Sequence, residues 1–430
     1  MRGKRLAAAG VVVVMAVSLH GCGGGDRTDS DGHPPSKTAT STGATATLSP
    51  SPISKHGPVA AVTGLLRRRA RALLHHDKGA FLHGIDRAAT GLRADQAAFY
   101  RNVRAVPLAT WKYRIDPKSG LEHRTKGADS WEYTLYTTYG FEGVRGDKAV
   151  QRQRVDVAKR MGGWRITEID DLDRRPEVWD LGKATAVRSE HVVVIGVGTD
   201  RDELRDIRAL AREAVPRVNG VWERKWAHGA VIAVPKNASG VDRLVEKSGL
   251  EEFAAVAAGE TGINAKGDTL HWDRIVINPR SWKRMESLGR RVVLTHEMTH
   301  LATGSLGSVP TWVSEGFADY VGWKDSGVPA RYIAQELAAR VRDGHVPHKL
   351  PEGADFRGGH VDEAYEEAWL TAKYIVFRYG ESKLIEFYET MAAQSGTGKQ
   401  AQDRALRKTL GVSRSAFTDG WSSYVEGQLS

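Results

Sequence analysis

His296-Glu297-Met298-Thr299-His300 sets two imidazoles four residues apart, with a carboxylate beside the first. On an α-helix, residues i and i+4 lie one above the other, so both rings can reach a single metal ion. Glu297 falls near the same face, where a carboxylate can hold a water on the metal and take its proton. A zinc site built for hydrolysis needs a third protein ligand and leaves one position open. Downstream, Trp312-Val313-Ser314-Glu315-Gly316-Phe317-Ala318-Asp319-Tyr320 offers two carboxylates, again at i and i+4. Glu315 is then the third ligand. Asp319 accepts the N–H of a ligating histidine and so fixes its tautomer.

Two helices must present these groups. Leu294, Met298 and Leu301 form an apolar stripe opposite the histidines, and Gly304 offers a C-terminal stop. Ser308 and Pro310 are placed to start a second helix, with Val313, Phe317 and Val321 turned to a core. H-E-x-x-H followed by W-x-x-E-G-x-A-x-Y resembles the gluzincin metallopeptidases, in particular the thermolysin-like superfamily with its E-x-x-x-D second helix. As an arrangement the resemblance covers roughly residues 185–395; its sharp part runs from His296 to Tyr320. Thr303 and Leu306 stand where the metzincin extension would need Gly and His, which excludes that class. The resemblance implies one Zn²⁺ held by His296, His300 and Glu315, with Glu297 as general base and a peptide or protein as substrate. It further implies an edge strand lining the cleft, and a Tyr or His from a later helix donating to the tetrahedral oxyanion. Tyr365 is the candidate for that donor and His360 the second choice, both near the start of a helix expected over 361–380.

The surrounding pattern supplies a frame. Short apolar runs at 191–196, 230–234 and 274–278 read as strands, and residues 200–226 as a helix kinked at Pro216. Residues 184–430 are therefore expected to form a mixed sheet packed on the ligand helices. Upstream, Val62, Leu65, Leu66, Ala70, Leu73 and Leu74 keep helical spacing, whereas beyond Pro107 apolar residues alternate. Met161-Gly162-Gly163-Trp164 reads as a hairpin turn. A long helix followed by a bent antiparallel sheet over 58–180 is similar in pattern to the NTF2-like fold. The expected class is thus α+β: a zincin-like metallopeptidase domain preceded by a smaller NTF2-like α+β domain. Trp111, Trp131, Tyr133 and Tyr136 either line a small pocket there or belong to its core. No paired acid and base stands out in that region.

The N-terminus carries an address. Met1-Arg2-Gly3-Lys4-Arg5 is a basic start and residues 6–19 an apolar run, too short to span a membrane comfortably. Leu19-His20-Gly21-Cys22 resembles a bacterial lipoprotein cleavage box, with His20 an unusual occupant, and Cys22 is the one cysteine of 430 residues. Residues 1–21 are expected to be a lipoprotein signal peptide, with Cys22 lipidated and the protein held outside the cytoplasm on the cell membrane. A single cysteine excludes an intramolecular disulfide. Residues 22–57, rich in Gly, Ser, Thr and Pro and free of aromatics, cannot bury enough apolar surface to order themselves. Such a linker reaches roughly 30–35 Å. Net charge is +10, or +7 once Arg2, Lys4 and Arg5 leave with the signal. No nucleic-acid motif accompanies this charge. The alternative to a peptidase is a non-catalytic surface binding lipoprotein with a peptidase-like fold; the intact Glu297 argues against it.

Overall fold

Helical spacing after Val62 builds α1 (Val59–Leu74), followed by α2 (Lys78–His83) and α3 (Thr90–Val103). The computed structural model describes residues 58–430 apart from 126–127, 146–148, 174–175, 248–249, 251–252, 264–268 and 358. The expected signal peptide, the linker and Cys22 lie outside the described residues. Alternating residues then give β1 (Leu108–Ile115), β2 (Leu121–Thr125), β3 (Ala128–Phe141), β4 (Ala149–Arg160) and β5 (Gly163–Asp171). β1 and β2 both pair antiparallel with β3, β1 along Leu135–Phe141 and β2 along Ala128–Glu132; β4 pairs with β3 and β5 with β4. The β4–β5 turn uses Gly162 and Gly163 at φ +88° and +115°, values that a Cβ would strain.

Period two also corrects the aromatic assignment. Trp131 and Tyr133 stack on each other in the core beneath Val62, Leu65 and Leu66. Tyr136, an odd number of residues away, turns to the opposite face of β3 and sets its hydroxyl 3.5 Å from Asp116. Trp111 borders a cavity and also stacks on Tyr139.

After a 3₁₀ turn (Val178–Leu181) the chain enters a second sheet built from β6 (Ala184–Arg188), β7 (Val192–Val197), β8 (Ala230–Val234), β9 (Ala255–Ile263) and β10 (Thr269–Ile277). Its order is β6-β7-β8-β10-β9; β7, β8 and β10 are parallel, and the two outer strands run antiparallel to their neighbours. Both faces are covered, which is why β7 and β8 read as unbroken apolar runs. Val192, Val194, Ile232 and Ile275 face one core with α4 (Arg201–Asn219) and the later helices. Val193, Ile195, Val231 and Val276 face another, shared with Tyr139, Trp179 and Phe81 of the N-terminal region. The expected helix over 200–226 stops at Gly220; Trp226 folds back and donates its indole N–H to Asn219 at 2.8 Å.

α5 (Ala238–Val245) links β8 to β9, and α6 (Pro279–Arg284) leads into α7 (Ser287–Thr303), which carries the H-E-x-x-H sequence. Then follow α8 (Thr311–Trp323), α9 (Ala330–Ile333), α10 (Gln335–Arg342), α11 (Val361–Tyr379), α12 (Glu381–Ala392), α13 (Lys399–Ala405) and α14 (Arg414–Leu429). α7 packs between α4, α8 and β9, and α8 lies on α11. Among the described residues no helix is long and apolar enough to cross a membrane.

Candidate metal centre

α7 is buried along almost its whole length. Leu294 and Met298 are inaccessible in the core, and truncating either to alanine should cost about 2–5 kcal/mol. That anchorage fixes the opposite face, where His296, Glu297 and His300 are also buried. α8 reaches them because of two glycines. A Cβ on Gly316 would stand 2.3 Å from the Ala368 carbonyl of α11, and one on Gly322 would stand 3.1 Å from the Val292 carbonyl of α7. Bare backbone at these positions lets three helices meet closely. It brings Glu315 and Asp319 to α7, and Tyr365 of α11 to Glu315.

The donor atoms converge. His296 Nε2 lies 2.9 Å from His300 Nε2 and 3.3 Å from Glu315 Oε2, which is 3.5 Å from His300 Nε2. His296 Nδ1 is 2.7 Å from Asp319 Oδ1, so its N–H donates to the carboxylate and Nε2 is the nitrogen turned to His300 and Glu315. His300 Nδ1 is 3.4 Å from Ser314 Oγ. Two ring nitrogens facing each other beside a carboxylate need a shared cation. Ligands about 2.0–2.1 Å from a tetrahedral zinc are separated by about 3.3 Å, close to the three spacings found. The donor set, two imidazoles and one carboxylate, also suits zinc. The site fits the ion.

Charge within the cluster is polarised. Burial disfavours charged His296, yet Asp319, Glu315 and Glu297 outweigh it and hold the ring well above its usual range. Burial likewise opposes ionised Glu315, but His300 and His296 pull its carboxyl down to about 2. Glu297 behaves differently: burial raises it, and the nearby histidines only oppose that rise. Its Oε2 accepts the Ala257 backbone N–H of β9 at 2.5 Å, while Oε1 is buried without a hydrogen-bond partner.

Tyr365 is buried, and its hydroxyl hydrogen-bonds Glu315; burial and the surrounding carboxylates raise the phenol well above its usual range. His360, the second choice for the same role, is exposed and pairs with Glu363 at 3.0 Å. His345 and His348 are exposed. Three participants escaped sequence reasoning. Ala257 offers only a backbone group, on a strand of small residues with no alternation to betray it. Ser314 shows nothing beyond being the neighbour of Glu315. Tyr388, from α12, is buried with its hydroxyl against Thr303 and Ser314, and only the fold brings it there.

No family model matches the chain, and no curated protein matches it. Among solved structures, the chain is similar to an M1 zinc metallopeptidase mutant from Deinococcus radiodurans bound to a Tyr-Ser-Ala substrate, at 14% identity and a TM-score of 0.29. It is also similar to a two-domain M1 zinc metallopeptidase mutant bound to L-tryptophan, at 12% identity and a TM-score of 0.31. In each case 74% of this chain aligns with 61% of the other. The chain thus spans about three fifths of the length of either structure.

Proposed function

We propose that the chain is a zinc-dependent peptidase that hydrolyses peptide bonds with Glu297 as general base. The observation that carries this reading is the convergence of His296, His300 and Glu315 within 3.5 Å, beside a carboxylate with one open oxygen. Zinc bound by these three would polarise the scissile carbonyl and lower the pKa of water. The Ala257 N–H fixes one oxygen of Glu297, and Oε1 is left to take a proton and pass it to the leaving amine. Burial raises the Glu297 carboxyl above the usual carboxylate range, which makes it the stronger proton acceptor. Asp319 holds the His296 ring in the ligating tautomer. Tyr365 keeps its proton and serves as donor to the developing oxyanion. β9, the outer strand that also orients Glu297, is placed to add an extended peptide to the sheet.

The same proposal places the protein outside the cytoplasm, anchored through lipidated Cys22. Radiolabelled palmitate should enter the wild-type chain and not Cys22→Ala; equal labelling would remove the anchor from the reading. For the centre itself, zinc is measured by mass spectrometry in the full chain and in His300→Ala, with peptide-library cleavage by both. One zinc per chain, lost together with cleavage in the variant, is the expected outcome. A wild type that holds no zinc after reconstitution would end the proposal. Zinc held tightly with no peptide cleaved would leave the binding-protein alternative.

A further inference from the structure

The N-terminal region contains a cavity of about 170 Å³ between its helices and its sheet. We infer that it is a binding site for a small single-ring carboxylate that carries an amine or hydroxyl at its far end. The inference does not depend on the peptidase reading.

Size sets the first limit, since a cavity of about 150 Å³ holds a benzene ring. The rings of Phe99, Trp111 and Trp179 form the aromatic part of the lining, beside Gln96, Gln151 and Gln153. On the helical side stands Arg69, only 2% exposed. Its guanidinium lies 3.6 Å from the Phe81 ring centroid and donates to the Phe81 carbonyl at 2.9 Å, to Gln96, and to the Tyr113 hydroxyl. Each of these partners is uncharged, and among the described residues no carboxylate pairs with Arg69. A buried cation without a counter-ion is unfavourable, and a guanidinium matches a carboxylate with two parallel hydrogen bonds. Trp111 adds a second unmet demand, because its indole N–H is buried with no acceptor.

The exposed border of the cavity has the opposite sign. Asp171 and Asp180 border the cavity and are exposed, each held by one neighbour: Gln153 donates to Asp171 at 2.7 Å, and the Glu177 backbone N–H to Asp180 at 2.8 Å. An anion is favoured at the floor and repelled at the rim, so the ligand's orientation is set. Its carboxylate goes in toward Arg69, its ring packs on the tryptophans, and its donor group meets the aspartates.

The test is calorimetric titration of the full chain with 4-(aminomethyl)benzoate, benzoate and 4-(aminomethyl)benzamide. The same titrations in His300→Ala remove the metal centre as a competing carboxylate site. The proposal expects saturable binding of the amino acid at one site per chain in both proteins. It also expects weaker binding of benzoate, and at least about tenfold weaker binding of the amide. Arg69→Gln should lose at least about tenfold in affinity for the acid. Should that variant misfold, the acid-to-amide ratio in the wild type decides alone. No saturable binding, equal affinity for acid and amide, undiminished binding by folded Arg69→Gln, or binding that vanishes in His300→Ala would each overturn the assignment.

Discussion

Glu177 with Arg274, and the cluster around Glu297, are both buried groups of charge, and they treat their carboxylates differently. At the junction of the two sheets, Glu177 has both oxygens taken: Oε2 by Arg274 at 2.7 Å, Oε1 by the Tyr139 hydroxyl. Arg274 also donates to the Leu244 carbonyl at 2.9 Å. At the candidate metal centre, Glu297 Oε1 and Asp319 Oδ2 are buried with no hydrogen-bond partner, and Glu315 Oε2 is turned toward two imidazole nitrogens. Both places are buried, but only Glu177 has its two carboxylate oxygens paired. A buried carboxylate with both oxygens paired holds parts together, whereas buried carboxylate oxygens left open mark a place for something the chain does not itself supply.

The contrast breaks most sharply at Glu297. Glu297→Gln should lower peptide cleavage by about 10²–10⁴-fold while one zinc per chain remains. Cleavage at the wild-type rate would show that the open oxygen has no part in turnover. Glu177→Gln should do the reverse. It leaves Arg274 buried without its counter-charge, at about 3–5 kcal/mol of stability read from urea unfolding, with zinc content of the folded protein unchanged. Combining Glu177→Leu with Arg274→Met should recover much of that loss; a double variant as unstable as the single one would mean the pair does more than balance charge. Next in size, Asp319→Asn should weaken zinc about 10–100-fold in chelator competition, and unchanged affinity would remove the tautomer argument.

The smallest effect sharpens the comparison with a third kind of carboxylate. Glu366 accepts backbone N–H groups from Glu336 at 3.3 Å and Leu337 at 2.7 Å at the start of α10, and burial still pushes it up to about 8. Below pH 4.5, its ordinary value, the group is protonated folded or unfolded. From there to about pH 8 the folded state binds more protons, so this group's contribution to stability falls as pH rises. Unfolding followed across that window should show a shallower decline in Glu366→Gln; identical slopes would contradict the raised value.

What the sequence disclosed follows from how local each signal is. The helix of His296 to His300, the helix of Glu315 to Asp319, and the strand Ala230–Val234 are written in contiguous patterns, and the structure has them where the patterns lie. β9 was not legible. Its alanines and glycines carry no alternation, and only pairing with β10 makes it a strand. The N–H that orients Glu297 went unseen with it. Glu177 and Arg274 meet across 97 residues, a pairing that no spacing rule anticipates. Tyr136 lies three residues along β3 from Tyr133, so the two side chains point to opposite faces although both are aromatic.

The shared interior beneath the second sheet bears on how this protein can be divided. A fragment starting at β6 would keep every metal-centre donor, yet it would bare Val193, Ile195, Val197, Val231 and Val276 together. A contiguous apolar surface of that kind favours aggregation over independent folding. The N-terminal half is therefore no exchangeable cassette. Any graft onto another scaffold, or any trimmed version made for crystallisation, has to carry Tyr139, Trp179 and their neighbours along as the other side of the seam.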